Sequence, residues 1–292
     1  MRFTVAHTGR DGGQSLEGVA FEMPVGECHH EVGHYGIREG DAKRILERDD
    51  ALLSHELARA GLDFSDYVWI PDWHELVMGI WVDREEPPLE MRFYPLSSYR
   101  VQAYRRGHRP FKVVQAGVIV FPVTLDERVV FGGVRAGADM AGTVAPIGGA
   151  VDYPLIRSGR HPIFASGRSE CVEEVGYSLA EPEMLGHFLE PSYYHCRTFV
   201  LRGGVKANSG EVVELHSSAL AAYQKQRRYS SHADAEGMLK LLNMPNTGAW
   251  EHSELILVPY DARHIQQARD ELMPRLGPIA LGSLEILLRH MP

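Results

Sequence analysis

Residues 166–177 read Ser-Gly-Arg-Ser-Glu-Cys-Val-Glu-Glu-Val-Gly-Tyr, with Glu170, Glu173 and Glu174 at i, i+3 and i+4. On an α-helix these positions stack on one face, about 5–6 Å apart. Three carboxylates so placed repel one another, by roughly 0.2–0.5 kcal/mol per pair. Two environments relieve that repulsion. One is water, in which case the face is an ordinary solvated acidic surface. The other is a hard divalent cation such as Mg²⁺, which takes oxygen ligands and shares its coordination with waters and phosphate oxygens. Gly176 suits the end of such a helix, where the chain often turns left-handed.

The chain around this stretch alternates strands and helices. Residues 111–123 are a mostly β-branched apolar run of the kind found in central strands. Asp126-Glu127-Arg128 reads as a turn, and 129–134 as a returning strand. A Gly/Ala loop leads to Val144 and then to Pro146-Ile147-Gly148-Gly149. Residues 220–228 and 233–242 read as helices, and 265–276 and 281–289 as closing helices.

This order resembles the Nudix hydrolase superfamily, and the resemblance implies a further strand at 193–201 and a late strand at 255–258 after Trp250-Glu251-His252-Ser253-Glu254. That family's box runs Gly, five residues, Glu, seven residues, then Arg-Glu-apolar-x-Glu-Glu-x-Gly-apolar. Its second half is matched by Ser169-Glu170-Cys171-Val172-Glu173-Glu174-Val175-Gly176-Tyr177, with Ser169 in the Arg position. The first half is less well matched. Gly148-Gly149 resembles the glycine loop, but Ser169 lies twenty residues beyond Gly149 where the family's Arg would lie fourteen on. Six extra residues therefore fall in the loop, and Leu155 stands at the position of the family's first Glu.

The resemblance implies an α/β fold, a Nudix-type mixed sheet sandwiched between helices, with an N-terminal α+β extension. It implies a hydrolase that cleaves the pyrophosphate of a nucleoside diphosphate linked to another group. Mg²⁺ or Mn²⁺ is the implied cofactor, with Glu170, Glu173 and Glu174 as ligands and Glu173 or Glu174 helping to orient the attacking water. Glu251 and Glu254 are candidates for a base or further ligand on a late loop. Gly148, Gly149, Arg157, Arg160 and Arg168 are candidates for substrate contacts, with a solvated basic loop as the alternative for the arginines. Replacing Glu173 or Glu174 by Gln is expected to lower turnover without loss of metal-free stability, since a repelling charge is removed. Ser169 and the unmatched first Glu leave a second reading open, a degenerate Nudix domain that binds a nucleotide or a partner without cleaving it.

Residues 1–108 form the expected N-terminal unit, and 109–292 the Nudix-like domain. The boundary is placed at the basic, Pro-ended segment 105–110. Within the first unit 9–18 is glycine-rich loop, 41–60 carries one or two helices, and 67–70, 76–82 and 91–94 read as strands. His30-Glu31-Val32-Gly33-His34 matches the HExxH zinc pattern. With 15 His in the chain such pairs arise by accident, and Gly26, Gly36 and Gly40 around it are poor helix formers. A zinc enzyme on His30, Glu31 and His34 is the third reading, and a structural metal site including Cys28 or His29 its variant.

Composition narrows the partners. The net charge of −9 disfavours nucleic acid and anionic membrane. Three cysteines with no paired spacing suit a reducing, cytoplasmic setting. The N-terminus carries no apolar core of a signal peptide, and no apolar run nears the roughly 20 residues of a membrane helix. The expected partner is a small nucleotide derivative, and a homodimer is compatible with the family.

Overall fold

The computed structural model describes residues 4–6, 17–22, 39–67, 74–84, 90–108, 114–133, 142–151, 162–190, 196–228 and 231–291. The chain falls into two compact units of three segments each. The first comprises 1–117, 150–165 and 189–198; the second comprises 118–149, 166–188 and 199–292.

In the first unit β1 (Thr4–Ala6) pairs antiparallel with β2 (Glu17–Glu22). Helix α1 (Glu39–Arg59) follows, then β3 (Leu76–Arg84) and β4 (Glu90–Ser97). Strand β2 runs parallel to β4, and β3 antiparallel to β4, so the sheet is mixed. The predicted helical region 41–60 is one helix, with Ile45, Leu53 and Leu57 on its buried side. Of the predicted strand 67–70, Tyr67 closes a 3-10 turn and the rest lies outside the described residues.

Helix α2 (Ser98–Arg105) was not legible in the sequence, because part of what it buries is polar. Arg100 is buried and binds Asp49 Oδ1 at 2.8 Å and Glu56 Oε2 at 2.9 Å, both on α1. A buried guanidinium with two carboxylates is satisfied, and removing either partner would leave a charge stranded.

The second unit is organised on β5 (Gln115–Val123), whose residues from Val118 onward belong to it. Nearly all of β5 is buried, which fits its unbroken apolar run. Strand β6 (Arg128–Phe131) returns antiparallel with Val123 opposite Val129. Strand β7 (Ile147–Ala150) also pairs with β5. Helix α3 (Pro162–Glu170) continues directly into a π turn, Cys171–Val175. Strands β8 (Ala180–Glu190) and β9 (Cys196–Gly204) pair with each other, and β9 with β5. Helices α4 (Ser209–Arg227) and α5 (His232–Leu241), strand β10 (Ile256–Pro259), and helices α6 (Ala262–Leu272) and α7 (Pro278–Arg289) complete the chain.

Alternation along β5 explains the layering. Ile119 and Phe121 enter a core with Phe131, Leu185 and Val200 and with Ile265, Leu284 and Leu287 of α6 and α7. Val118 and Val120 face the other way, toward α3. A Cβ placed on Gly167 of α3 would lie 2.6 Å from Leu201 Cδ1 and 3.3 Å from Val120 Cγ2. The architecture is thus α/β, with a sheet between α3 on one face and α6 and α7 on the other, as expected.

In this unit β8 and α4 differ most from expectation. Strand β8 was not anticipated, because Pro182 and Gly186 break its pattern, and Glu181 adopts a positive φ of 43°. Helix α4 starts at Ser209 rather than 220, where Asn208 and Glu211 form a capping box. Among the described residues no helix is long and apolar enough to cross a membrane.

Candidate functional site

The glycine contact between α3 and the sheet sets the position of Glu170, at the last α-helical residue. Beyond it the helix widens. Gly176 N–H donates to Cys171 O at 3.2 Å and to Val172 O at 2.9 Å, and Gly176 turns left-handed at φ 92°. The expected helix stop is therefore present, but the acidic triple straddles an α-to-π change. Such turns occur often at functional sites.

The three carboxylates consequently have different surroundings. Glu173 is exposed and accepts a hydrogen bond from Ser169 Oγ at 2.7 Å. Glu174 is buried at 1% exposure. Its Oε1 accepts from Gly148 N–H at 3.0 Å, and its Oε2 is bonded to His252 Nε2. Glu170 is half-buried within hydrogen-bonding reach of Glu174. Burial pushes the Glu170 carboxyl well above its ordinary range, and the charges of Glu174, Glu251 and Glu173 push it further. The same surroundings, burial first and Glu174 second, push the Cys171 thiol up.

Two glycines of β7 complete this side. Gly148, at φ 139°, lies against the Val118 carbonyl and aims its N–H at Glu174. A Cβ on Gly149 would lie 2.5 Å from Glu170 Oε1, so only glycine lets the carboxylate sit there.

The other wall comes from the 3-10 turn Ala249–Glu251 and the start of β10. Strand β10 pairs with β6, Ile256 opposite Phe131, which brings the preceding residues alongside Gly132 and Gly133. A Cβ on Gly132 would lie 2.6 Å from His252 Cε1, and Gly133 lies against the Glu254 backbone. Gly248 N–H donates to Glu173 O at 2.8 Å, tying this turn to the π turn.

Of the residues singled out in the sequence, Glu170, Glu173, Glu174, Gly148, Gly149 and Glu251 come together. Glu254 is exposed, and it is not among the charges that shift Glu170. Arg168 donates from Nε to Leu179 O at 3.2 Å. Arg157, Arg160 and the His30-Glu31-His34 pattern lie outside the described residues. Sequence reasoning overlooked His252 and His216. His252 is fully buried and His216 is 2% exposed. Burial, then the neighbouring His252, holds the His216 imidazole below its ordinary value. The only signal for His252 was its place between Glu251 and Glu254.

Among the described residues no group of three or more His, Cys, Asp or Glu side chains is arranged to hold a metal ion. Glu173 is turned to Ser169, and Glu174 to Gly148 and His252. The donor set is nonetheless all carboxylate oxygen around Glu170, the set that Mg²⁺ and Mn²⁺ take.

An α/β unit thus presents clustered carboxylates between a glycine turn and a late 3-10 turn. Solved structures of similar chain course include "NUDIX hydrolase from Nitrosomonas europaea", at 12% identity and a TM-score of 0.36, covering 59% of this chain and 87% of that one. An "ADP compounds hydrolase" is similar at 14% identity and 0.34, covering 68% and 76%. The MutT protein of Methanosarcina mazei Go1 is similar at 15% identity and 0.35, covering 60% and 91%. No protein-family model matches the sequence, and no curated relative does.

Proposed function

We propose that the second unit is a metal-dependent hydrolase of the Nudix type, cleaving the pyrophosphate of a nucleoside diphosphate linked to another group. The observation that carries this reading is the carboxylate cluster at Glu170, where the charges of Glu174, Glu251 and Glu173 all act on one buried carboxyl. A hard dication is a counter-charge that would relieve their mutual repulsion. Glu170 and Glu174 would hold it, with Glu173 joining by a change of side-chain torsion away from Ser169. The cation, Mg²⁺ or Mn²⁺, supplies Lewis acidity for the phosphate oxygens and for a water.

The chain's own residues do the remaining work. Gly148 N–H and His252 hold Glu174. Gly149 admits Glu170. Glu251 is the candidate to accept the proton of the attacking water. All these residues fall in 118–149, 166–188 and 199–292, inside the proposed catalytic domain 109–292. The buried thiols of Cys171 and Cys196 suit a cytoplasmic setting.

A panel of nucleoside diphosphate derivatives with Mg²⁺ and Mn²⁺ tests the proposal. Release of two phosphorylated products from at least one of them is expected, with loss of turnover in EDTA. The second reading, a binding module, is favoured by Ser169 bonding to Glu173 where the family has Arg. It takes over if nucleotide binds across the panel and none is cleaved.

A further inference from the structure

His252 was assigned no role by sequence reasoning, yet its ring is enclosed by the residues around it. It is fully buried. Gly132 leaves room for the ring where a Cβ would come within 2.6 Å of Cε1. His216, itself buried, lies beside the backbone of Ala249 and His252, in the turn that carries the ring. The ring's Nε2 meets Glu174 Oε2, while Gly148 N–H meets Oε1 at 3.0 Å. A carboxylate accepts and does not donate, so Nε2 carries the proton in this pair.

We infer that His252 is a positioning residue: with Gly148 it fixes the plane of the Glu174 carboxylate, so that each oxygen keeps its remaining lone pair for a divalent cation shared with Glu170. The inference rests on the metal-dependent reading above. A carboxylate has about four lone-pair sites, and the two protein donors occupy two of them. Held at both oxygens, Glu174 pays little torsional entropy when a cation arrives, whereas exposed Glu173 must be reoriented. Partners that orient ligand side chains in this way typically change metal affinity by 10–100-fold when removed.

The test compares Mn²⁺ affinity of the full chain with those of H252A and H252Q, read as free Mn²⁺ by electron paramagnetic resonance. Folding of each variant is followed by circular dichroism. A glutamine amide can present an N–H near the place of imidazole Nε2. H252A is therefore expected to bind Mn²⁺ about 10–100-fold more weakly, and H252Q to recover most of that loss. A folded H252A with unchanged affinity overturns the inference, as does a folded H252Q as weak as H252A. If both variants fail to fold, ¹⁵N resonances of the imidazoles in the wild-type chain decide. The expected result is a His252 ring protonated at Nε2 and not at Nδ1, unchanged in tautomer when Mg²⁺ saturates the site; the other tautomer overturns it. A wild-type chain that binds no Mn²⁺ at millimolar concentration sinks both the metal-dependent reading and this inference. Equal binding by wild type and H252A sinks this inference alone.

Discussion

At the scale of single residues, the two adjacent glutamates are chemically alike and structurally opposite. Glu173 is exposed, with Ser169 as its hydrogen-bond donor. Glu174 is buried, with donors on both oxygens. Replacing Glu173 by Gln removes one charge from a repelling cluster, so the midpoint in EDTA should hold or rise. Replacing Glu174 by Gln turns one acceptor into a donor that faces either Gly148 N–H or His252. The cost of that mismatch is about 1–3 kcal/mol, and the EDTA midpoint should fall by several degrees. The sequence alone predicts no loss for either change; burial separates them. On a substrate that is turned over, each variant should lose about 10²-fold or more in rate, roughly 2.7 kcal/mol of transition-state stabilisation. Full activity in both variants would show that these carboxylates do not serve the chemistry.

At the scale of elements, the Glu triple was legible because its spacing and Gly176 both follow from helix geometry. The π turn was not legible, because an i+5 bond leaves no mark in side-chain pattern. Gly176 shows what that turn requires. Its φ of 92° is left-handed, and a Cβ there would run into Leu215 Cδ2 of α4. An alanine at Gly176 should cost about 1–2 kcal/mol for the backbone alone, and more through the crowding with Leu215. Thermal denaturation of G176A should show a clear drop in midpoint, and Mn²⁺ affinity should fall with it, since Glu173 and Glu174 ride on this turn. An unchanged midpoint would mean that the turn relaxes without the left-handed residue. Strand β5 was readable from its apolar run, whereas β8 was hidden by Pro182 and Gly186, and α2 by buried Arg100 and Gln102. His252 was hidden for a different reason: a lone histidine in a loop carries no periodicity, and its role depends on the pairing of β6 with β10.

At the scale of the whole molecule, the cluster couples folding to protons and, on the proposed reading, to a cation. Glu170 has a folded value raised above the ordinary 4.5, from burial first and then from Glu174, Glu251 and Glu173. The folded chain therefore holds this proton at pH values where the unfolded chain has released it. By linkage that contribution is fully present below the unfolded value and is lost as pH rises through the folded one. In EDTA, the midpoint of the wild-type chain should fall relative to that of E170Q as pH is raised from about 4.5, because the amide has no proton to lose. Mn²⁺ acts in the opposite sense. It requires deprotonated carboxylates, so its stabilisation grows with pH, and at a concentration a hundredfold above its dissociation constant it contributes about 2.7 kcal/mol. The measurement is a grid of thermal midpoints over pH, with EDTA or with Mn²⁺, for the wild type and E170Q. Wild type should show opposite pH trends in the two series, and E170Q should show neither the fall in EDTA nor the full gain from Mn²⁺. Parallel curves for wild type and E170Q in EDTA would mean that Glu170 is not held protonated by its surroundings, and the charge argument for a cation at this cluster would fail with it.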